Sequence, residues 1–306
     1  MENKFTFRQF WELSEIYTAP LNLFLILMGV SIAMDQFDWG ISLDLFLYGL
    51  ILIIFHVTAN IFNHYMDYKN ASDQHYREVT NVIGREKLSL KFVRNLYLIC
   101  LFIAFLLGVW LVLRTNIIVG ILGLIGFYIG LFYSYGKHPL NSLPIAEVLT
   151  GTTSGFFIPV IGFYLAIDGK IEVTPFMIFE VFILCLPLSM MMFNNLLANN
   201  TSDLEEDVKN GRKTLVYYLG KKTAVSVLLI VFAISYLLLP IFVFLGIAPW
   251  PILILFLFLP KSIQGLKIYQ QKQDKATTFP IVLKTMSLVM IGYPLLYFIG
   301  SLIHQL

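Results

Sequence analysis

Nine stretches of this chain are apolar enough, over about 20 residues each, to cross the hydrocarbon core of a bilayer. They run over 15–34, 43–63, 94–113, 116–135, 145–167, 175–199, 223–246, 249–268 and 280–303. A water-soluble globule would have to expose several of these runs, so the chain is expected to be an all-α, polytopic membrane protein. Composition agrees: only 13% of residues are charged and 58% are hydrophobic, a balance that excludes a disordered chain, a nucleic-acid binder and a coiled coil. The segment before the first apolar run is too polar for a cleavable signal peptide. Cys100 and Cys185 lie inside apolar runs, so no disulfide framework is expected.

The basic residues order these spans. With the N-terminus on the cytoplasmic side, nineteen of the 21 Lys and Arg fall in cytoplasmic segments, leaving Arg114 and Lys170 outside. Positive residues concentrate on the cytoplasmic side of membrane proteins. The expectation is therefore nine spans, N-terminus inside and C-terminus outside, in a plasma membrane. The whole chain, 1–306, reads as one domain with two long polar cytoplasmic loops, 64–93 and 200–222.

Those loops open alike. A shift of 136 residues places Asn63 on Asn199, Asp67 on Asp203 and Arg77 on Lys213. N-x-x-x-D thus recurs at the cytoplasmic ends of two parallel helices, which hints at an internal duplication. Asn60, Asn63 and Asp67 share one helical face, as do Asn195, Asn199, Asp203 and Asp207. Asp73 falls off that face and joins the first cluster only if the helix ends or bends near 70–72. Carboxylates with amide oxygens are hard ligands of the kind Mg²⁺ takes, usually with waters and a shared phosphate. A single Asn can equally serve as interhelical glue. Matching clusters at two parallel helix ends are harder to explain that way.

Cations follow the carboxylates: Arg77, Arg85 and Lys87 after the first cluster, Arg212 and Lys213 after the second. The fourth span ends in a Y-x-x-x-K step, Tyr133 and Lys137. Positive side chains beside metal-type carboxylates imply a polyanion between them, and a diphosphate fits. Each Lys or Arg taken singly serves equally well as a topogenic charge. Glu147 opens the fifth span, with structural and functional readings open. The run 189–195, with three Met and a Phe, reads as packing or as the lining of a lipid-tail channel. The five His form no metal-ligand pairs, and there is no phosphate-binding glycine loop.

Together these residues resemble the UbiA superfamily of intramembrane aromatic prenyltransferases, from about Pro20 to the C-terminus. The first loop's N-x-x-N-x-Y-x-D-x5-D (Asn60, Asn63, Tyr65, Asp67, Asp73) is most similar to the branch that prenylates 1,4-dihydroxy-2-naphthoate in menaquinone biosynthesis. So is the second loop's run through Asn199, Asn200, Asp203, Asp207, Gly211, Arg212, Thr214 and Leu215. The resemblance implies a helical bundle with a central cavity opening to the cytoplasm, and transfer of a polyprenyl group from polyprenyl diphosphate with decarboxylation of the acceptor. It implies two Mg²⁺, one on Asn63, Asp67 and Asp73, the other on Asn199, Asp203 and Asp207. Asp67, Asp203, Tyr133 and Lys137 would be catalytic. Arg77, Arg85, Lys87, Lys137, Arg212 and Lys213 would hold the diphosphate, and Asn60, Asn195 and Glu147 the substrates, within membrane lipid. His64 stands where this branch often carries Asp, and the run before Glu147 lacks the branch's glycines. The competing readings are another aromatic acceptor (4-hydroxybenzoate or a haem-like ring), a secondary transporter and a structural membrane protein.

Overall fold

The computed structural model describes residues 5–37, 39–136, 139–167 and 172–305, and among them every regular element is a helix. A short amphipathic helix, α1 (Phe7–Ser14), precedes the bundle. Its N-cap Thr6 and Gln9 form a reciprocal capping box. The long elements are α2 (Pro20–Gln36), α3 (Leu43–Asn70), α5 (Leu90–Arg114), α6 (Ile117–Phe132), α9 (Pro175–Ser202), α11 (Leu215–Phe244) and α13 (Phe279–Gln305). Short helices fill the connections: α4 (Val82–Arg85) and α10 (Leu204–Lys209). Two spans are composite. α7 (Ala146–Thr152) passes through one wide turn, Thr153–Phe157, into α8 (Ile158–Ala166). A tighter 3-10 segment, Trp250–Phe258, leads into α12 (Leu259–Gln271).

Among the described residues, eight helical stretches are long and apolar enough to span a bilayer. The expected fourth span, 116–135, contracts to the 16 residues of α6, about 24 Å at 1.5 Å per residue and short of a ~30 Å core. The seventh begins earlier than expected, at Leu215, and its helix breaks at Gly220, where φ is 74°. The polar loops are also shorter than hydropathy implies. α3 runs on to Asn70 and α9 to Ser202, because backbone hydrogen bonding carries a helix past the point where its side chains turn polar.

Without a hydrophobic force between helices in lipid, close packing must bind them. Glycines supply it. A Cβ on Gly29 of α2 would lie 1.9 Å from the Pro159 carbonyl oxygen of α8. One on Gly155 would lie 2.3 Å from the Ser189 Cα of α9. The largest core cluster runs through α2, α8, α9, α11 and α13, and includes Tyr293 and Tyr297. Tyr293 donates its hydroxyl to the Leu184 carbonyl at 2.9 Å. α5 sits at the rim, where Ile99, Phe102 and Phe105 stay exposed, as side chains facing lipid do.

Candidate functional site

The connection that follows α3 meets the end of α10. α3 stops at Asn70 and the chain turns away over 71–73, the break that Asp73 needs to approach its cluster. The Ser72 hydroxyl donates to the Lys209 carbonyl at 2.9 Å, and the Asp73 N–H to Asn210 Oδ1 at 3.4 Å. These partners lie 137 residues apart, close to the shift that aligns the two motifs. The touching residues are thus near-equivalents across the apparent duplication. Asp73 Oδ1 accepts from the His75 N–H at 2.9 Å, and the Tyr76 hydroxyl donates to Asp67 Oδ2 at 3.4 Å.

Arg212 stands at the centre. Its Nη1 lies 3.1 Å from Asp207 Oδ1 and its Nη2 donates to the Asn141 carbonyl at 3.0 Å. Its charge also acts on Asp67 and Tyr133. The turn that presents it depends on Gly211, at φ 76°, which lets the Arg212 N–H return to the Asp207 carbonyl at 2.9 Å. Burial pushes the Asp207 carboxyl up to about 6, against the pull of Arg212. The Arg212 guanidinium is itself held above its usual value, the nearby Asp207 and Asp67 outweighing its burial.

Several polar atoms here are buried without a partner: Asp207 Oδ2, Glu147 Oε2, the Oδ1 atoms of Asn194, Asn195 and Asn200, and Arg212 Nε. Glu147 is fully buried, and its other oxygen accepts from Asn200 Nδ2 at 2.9 Å. Orphaned oxygens of this kind are costly unless something meets them. Among the described residues, no three His, Cys, Asp or Glu converge into a closed cage. Mg²⁺ binds through one or two carboxylates and takes its remaining ligands from water and phosphate. The all-oxygen donor set fits the same ion.

The remaining expected residues divide. Asn63 Oδ1 accepts from Ser134 at 2.6 Å and Asn141 at 3.5 Å, which ties the first cluster to the segment after α6. Asn199 and Asp203 are both gripped by the Lys275 ammonium, at 2.6 Å for Asn199. Asn60 donates to His56 Nε2 and to its carbonyl, in a network with Thr18 and Asn22. His64 lies 3.5 Å from Glu15. Arg77 turns back onto the Ala71 carbonyl at 2.6 Å. Tyr133 is half-buried near Glu147 and Arg212. Arg85 pairs with Glu12 of α1 and with Glu86, and is not gathered with the carboxylates. Lys87 and Lys213 are exposed, and Lys213 lies over the Tyr217 ring. Lys137 lies outside the described residues. Lys275 and the Glu147–Asn200 contact were not anticipated. The only local signal for the first is the turn-forming Asp274 and Thr277 around it.

A model of the UbiA prenyltransferase family matches residues 22–290. The 1,4-dihydroxy-2-naphthoate octaprenyltransferase of Bacillus subtilis is 31% identical over 266 residues, covering 86% of this chain and 82% of that protein. Among solved structures, a digeranylgeranylglyceryl phosphate synthase superposes with a TM-score of 0.63 at 19% identity, covering 96% of this chain and 98% of the other. A UbiA homologue from Archaeoglobus fulgidus bound to GPP and Mg²⁺ gives 0.60 at 17%, covering 95% and 99%. The apo UbiA homologue of Aeropyrum pernix K1 gives 0.64 at 15%, covering 94% and 98%.

Proposed function

This chain belongs to the UbiA prenyltransferase family, and we propose that it transfers a polyprenyl group from polyprenyl diphosphate to 1,4-dihydroxy-2-naphthoate. The acceptor's carboxylate leaves as CO₂ and the donor's diphosphate departs, giving demethylmenaquinol. One observation carries this reading: two N-x-x-x-D clusters from separate parts of the chain are joined through Ser72–Lys209 and Asp73–Asn210, with Arg212 between Asp67 and Asp207. The acceptor rests on the likeness to the Bacillus subtilis enzyme.

In this reading Asn63, Asp67 and Asp73 hold one divalent ion and Asn199, Asp203 and Asp207 a second. Bound Mg²⁺ would neutralise the diphosphate as it departs. Arg212 supplies a half-buried, fork-shaped donor to the same anion, with Arg77, Lys213 and Lys137 beside it. Arg85, committed to Glu12, has a lesser share. The allylic carbon becomes cationic as its C–O bond breaks, and the acceptor's ring carbon donates the electron pair that forms the new C–C bond. Tyr133 presents a π face for that developing charge. Glu147 Oε2, buried and without a partner, can accept a hydrogen bond from a ring hydroxyl, while Asn60 and Asn195 line the approach. Packed helices keep water from the cation.

A single unit, 1–306, does this work at the cytoplasmic face of a plasma membrane, in a cavity opening to that side. Its topology is nine spans, with α6 the short fourth and the N-terminus inside. The polyprenyl tail stays in lipid, since each buried CH₂ contributes about 0.8 kcal/mol. The test uses membranes supplied with Mg²⁺, a prenyl diphosphate and several aromatic acceptors, with products identified by mass spectrometry. The expected product is the prenylated, decarboxylated naphthoquinol, abolished by EDTA. Asp67→Asn and Asp203→Asn should each lower turnover by roughly a hundredfold or more. Full turnover in both variants removes the two-cluster reading, and product from a different acceptor alone removes the naphthoate assignment.

A further inference from the structure

Lys275 lies on the connection between α12 and α13, residues 272–278, far in sequence from either carboxylate cluster. Hydrogen bonds within the turn fix the backbone that carries it. Asp274 Oδ1 accepts from the Thr277 N–H at 2.9 Å and from the Thr277 hydroxyl at 2.6 Å. Thr278 Oγ1 accepts from the Asp274 N–H at 2.9 Å and donates to the Lys272 carbonyl at 2.8 Å. The Thr277 bonds hold the Asp274 carboxyl down at about 2, so it remains an anion committed to the turn. Just before the turn, the Tyr269 hydroxyl donates to the Ala198 carbonyl at 2.8 Å. This ties α12 to α9 immediately before Asn199.

From this built turn the Lys275 ammonium reaches Asn199 Oδ1 at 2.6 Å and pairs with Asp203 Oδ2, with the Phe279 ring 4.8 Å away. Two of the three oxygen donors assigned to the second cluster therefore already grip a cation, and that cation belongs to the protein. A divalent ion on the same oxygens needs the same lone pairs and would be repelled by an ammonium at contact distance. The lysine stem is flexible, with four carbons between backbone and charge, so the group can move without unmaking the turn.

We propose that Lys275 is a tethered counter-cation of the second cluster, that it vacates Asn199 and Asp203 when a divalent ion binds there, and that the freed ammonium then pairs with the diphosphate of the prenyl donor. The 272–278 connection thereby couples metal loading to donor binding. This rests on the reading of Asn199 and Asp203 as metal ligands.

The test titrates Mn²⁺ by electron paramagnetic resonance into the purified full chain in lipid nanodiscs without substrate, comparing parent, Lys275→Met and Asp203→Asn. Lys275→Met keeps most of the stem and removes the charge. It should bind its weaker Mn²⁺ about tenfold more tightly than the parent, the scale of a lost charge-assisted hydrogen bond. With Mn²⁺ saturating, its affinity for inorganic pyrophosphate should fall several-fold. A lysine that merely supports the fold would not tighten metal binding when removed. If Asp203→Asn loses an ion but Lys275→Met binds Mn²⁺ no better than the parent, the inference falls and the two-cluster reading stands. Unchanged pyrophosphate affinity in Lys275→Met overturns the hand-over to the donor. If Asp203→Asn binds as many ions as the parent, the two-cluster reading fails and takes the inference with it.

Discussion

Replacing Asp207 by Asn should make the metal-free protein more stable at neutral pH. The side chain is buried, one oxygen has no partner, and the other is 3.1 Å from Arg212. Its carboxyl sits at about 6 in the folded chain against 3.8 ordinarily. Below pH 3.8 the group is protonated in both states and folding is indifferent to it. Between 3.8 and 6 the unfolded chain releases the proton first, and the folded state falls behind. Above 6 the deficit is constant. At 1.36 kcal/mol per pH unit it reaches about 3 kcal/mol at pH 7.5 and about 1 kcal/mol at pH 4.5. Asn stands in for the protonated acid at every pH and escapes it. Thermal unfolding of EDTA-treated protein in detergent, parent against Asp207→Asn, should show the variant higher by several degrees at pH 7.5 and the gap narrowing toward pH 4.5. Excess Mg²⁺ should raise the parent by more than the variant, which has lost one carboxylate of the second cluster and keeps the first cluster intact. A variant less stable than the parent at pH 7.5, or a gap independent of pH, would refute the reasoning.

Arg212→Met should raise the KM for prenyl diphosphate by about tenfold or more, as expected on losing charge-assisted hydrogen bonds. Arg85→Ala, whose guanidinium is occupied by Glu12 at a partly exposed site, should leave that KM within about twofold; initial rates in isolated membranes separate the two. In the bundle, Gly155→Leu should cost about 3 kcal/mol or more, because its Cβ would meet the Ser189 backbone at 2.3 Å. Gly123→Leu, with nothing within 4 Å of its Cβ, should be tolerated; the yield of folded protein after membrane extraction reads both.

The paired motifs were legible because they are local. N-x-x-x-D declares a helical face, and the requirement that α3 end near 70 for Asp73 to take part was met at Asn70. The loop boundaries were not legible, since hydropathy marks where side chains turn polar and α3 and α9 continue beyond that point. The cations were harder still. Arg77, Arg85, Lys87, Arg212 and Lys213 look alike in sequence, and only tertiary contacts turn Arg85 toward α1 while placing Arg212 among the carboxylates. Lys275 carries no motif; its partners lie 76 and 72 residues away. Likewise, nothing local to Asn63 announces that Ser134 and Asn141 will hold its amide oxygen. The sixteen-residue α6 shows the opposite error, an apolar run read as longer than the helix it forms.

The bonds between Ser72 and Lys209 and between Asp73 and Asn210 have a structural consequence of their own. Each polar connection is the other's scaffold, so neither the front nor the rear of the polypeptide owns a finished binding surface. The rear portion must insert and dock before the front portion's carboxylates have anything to face. Competence for chemistry thus arrives late in assembly, as a property of the closed bundle.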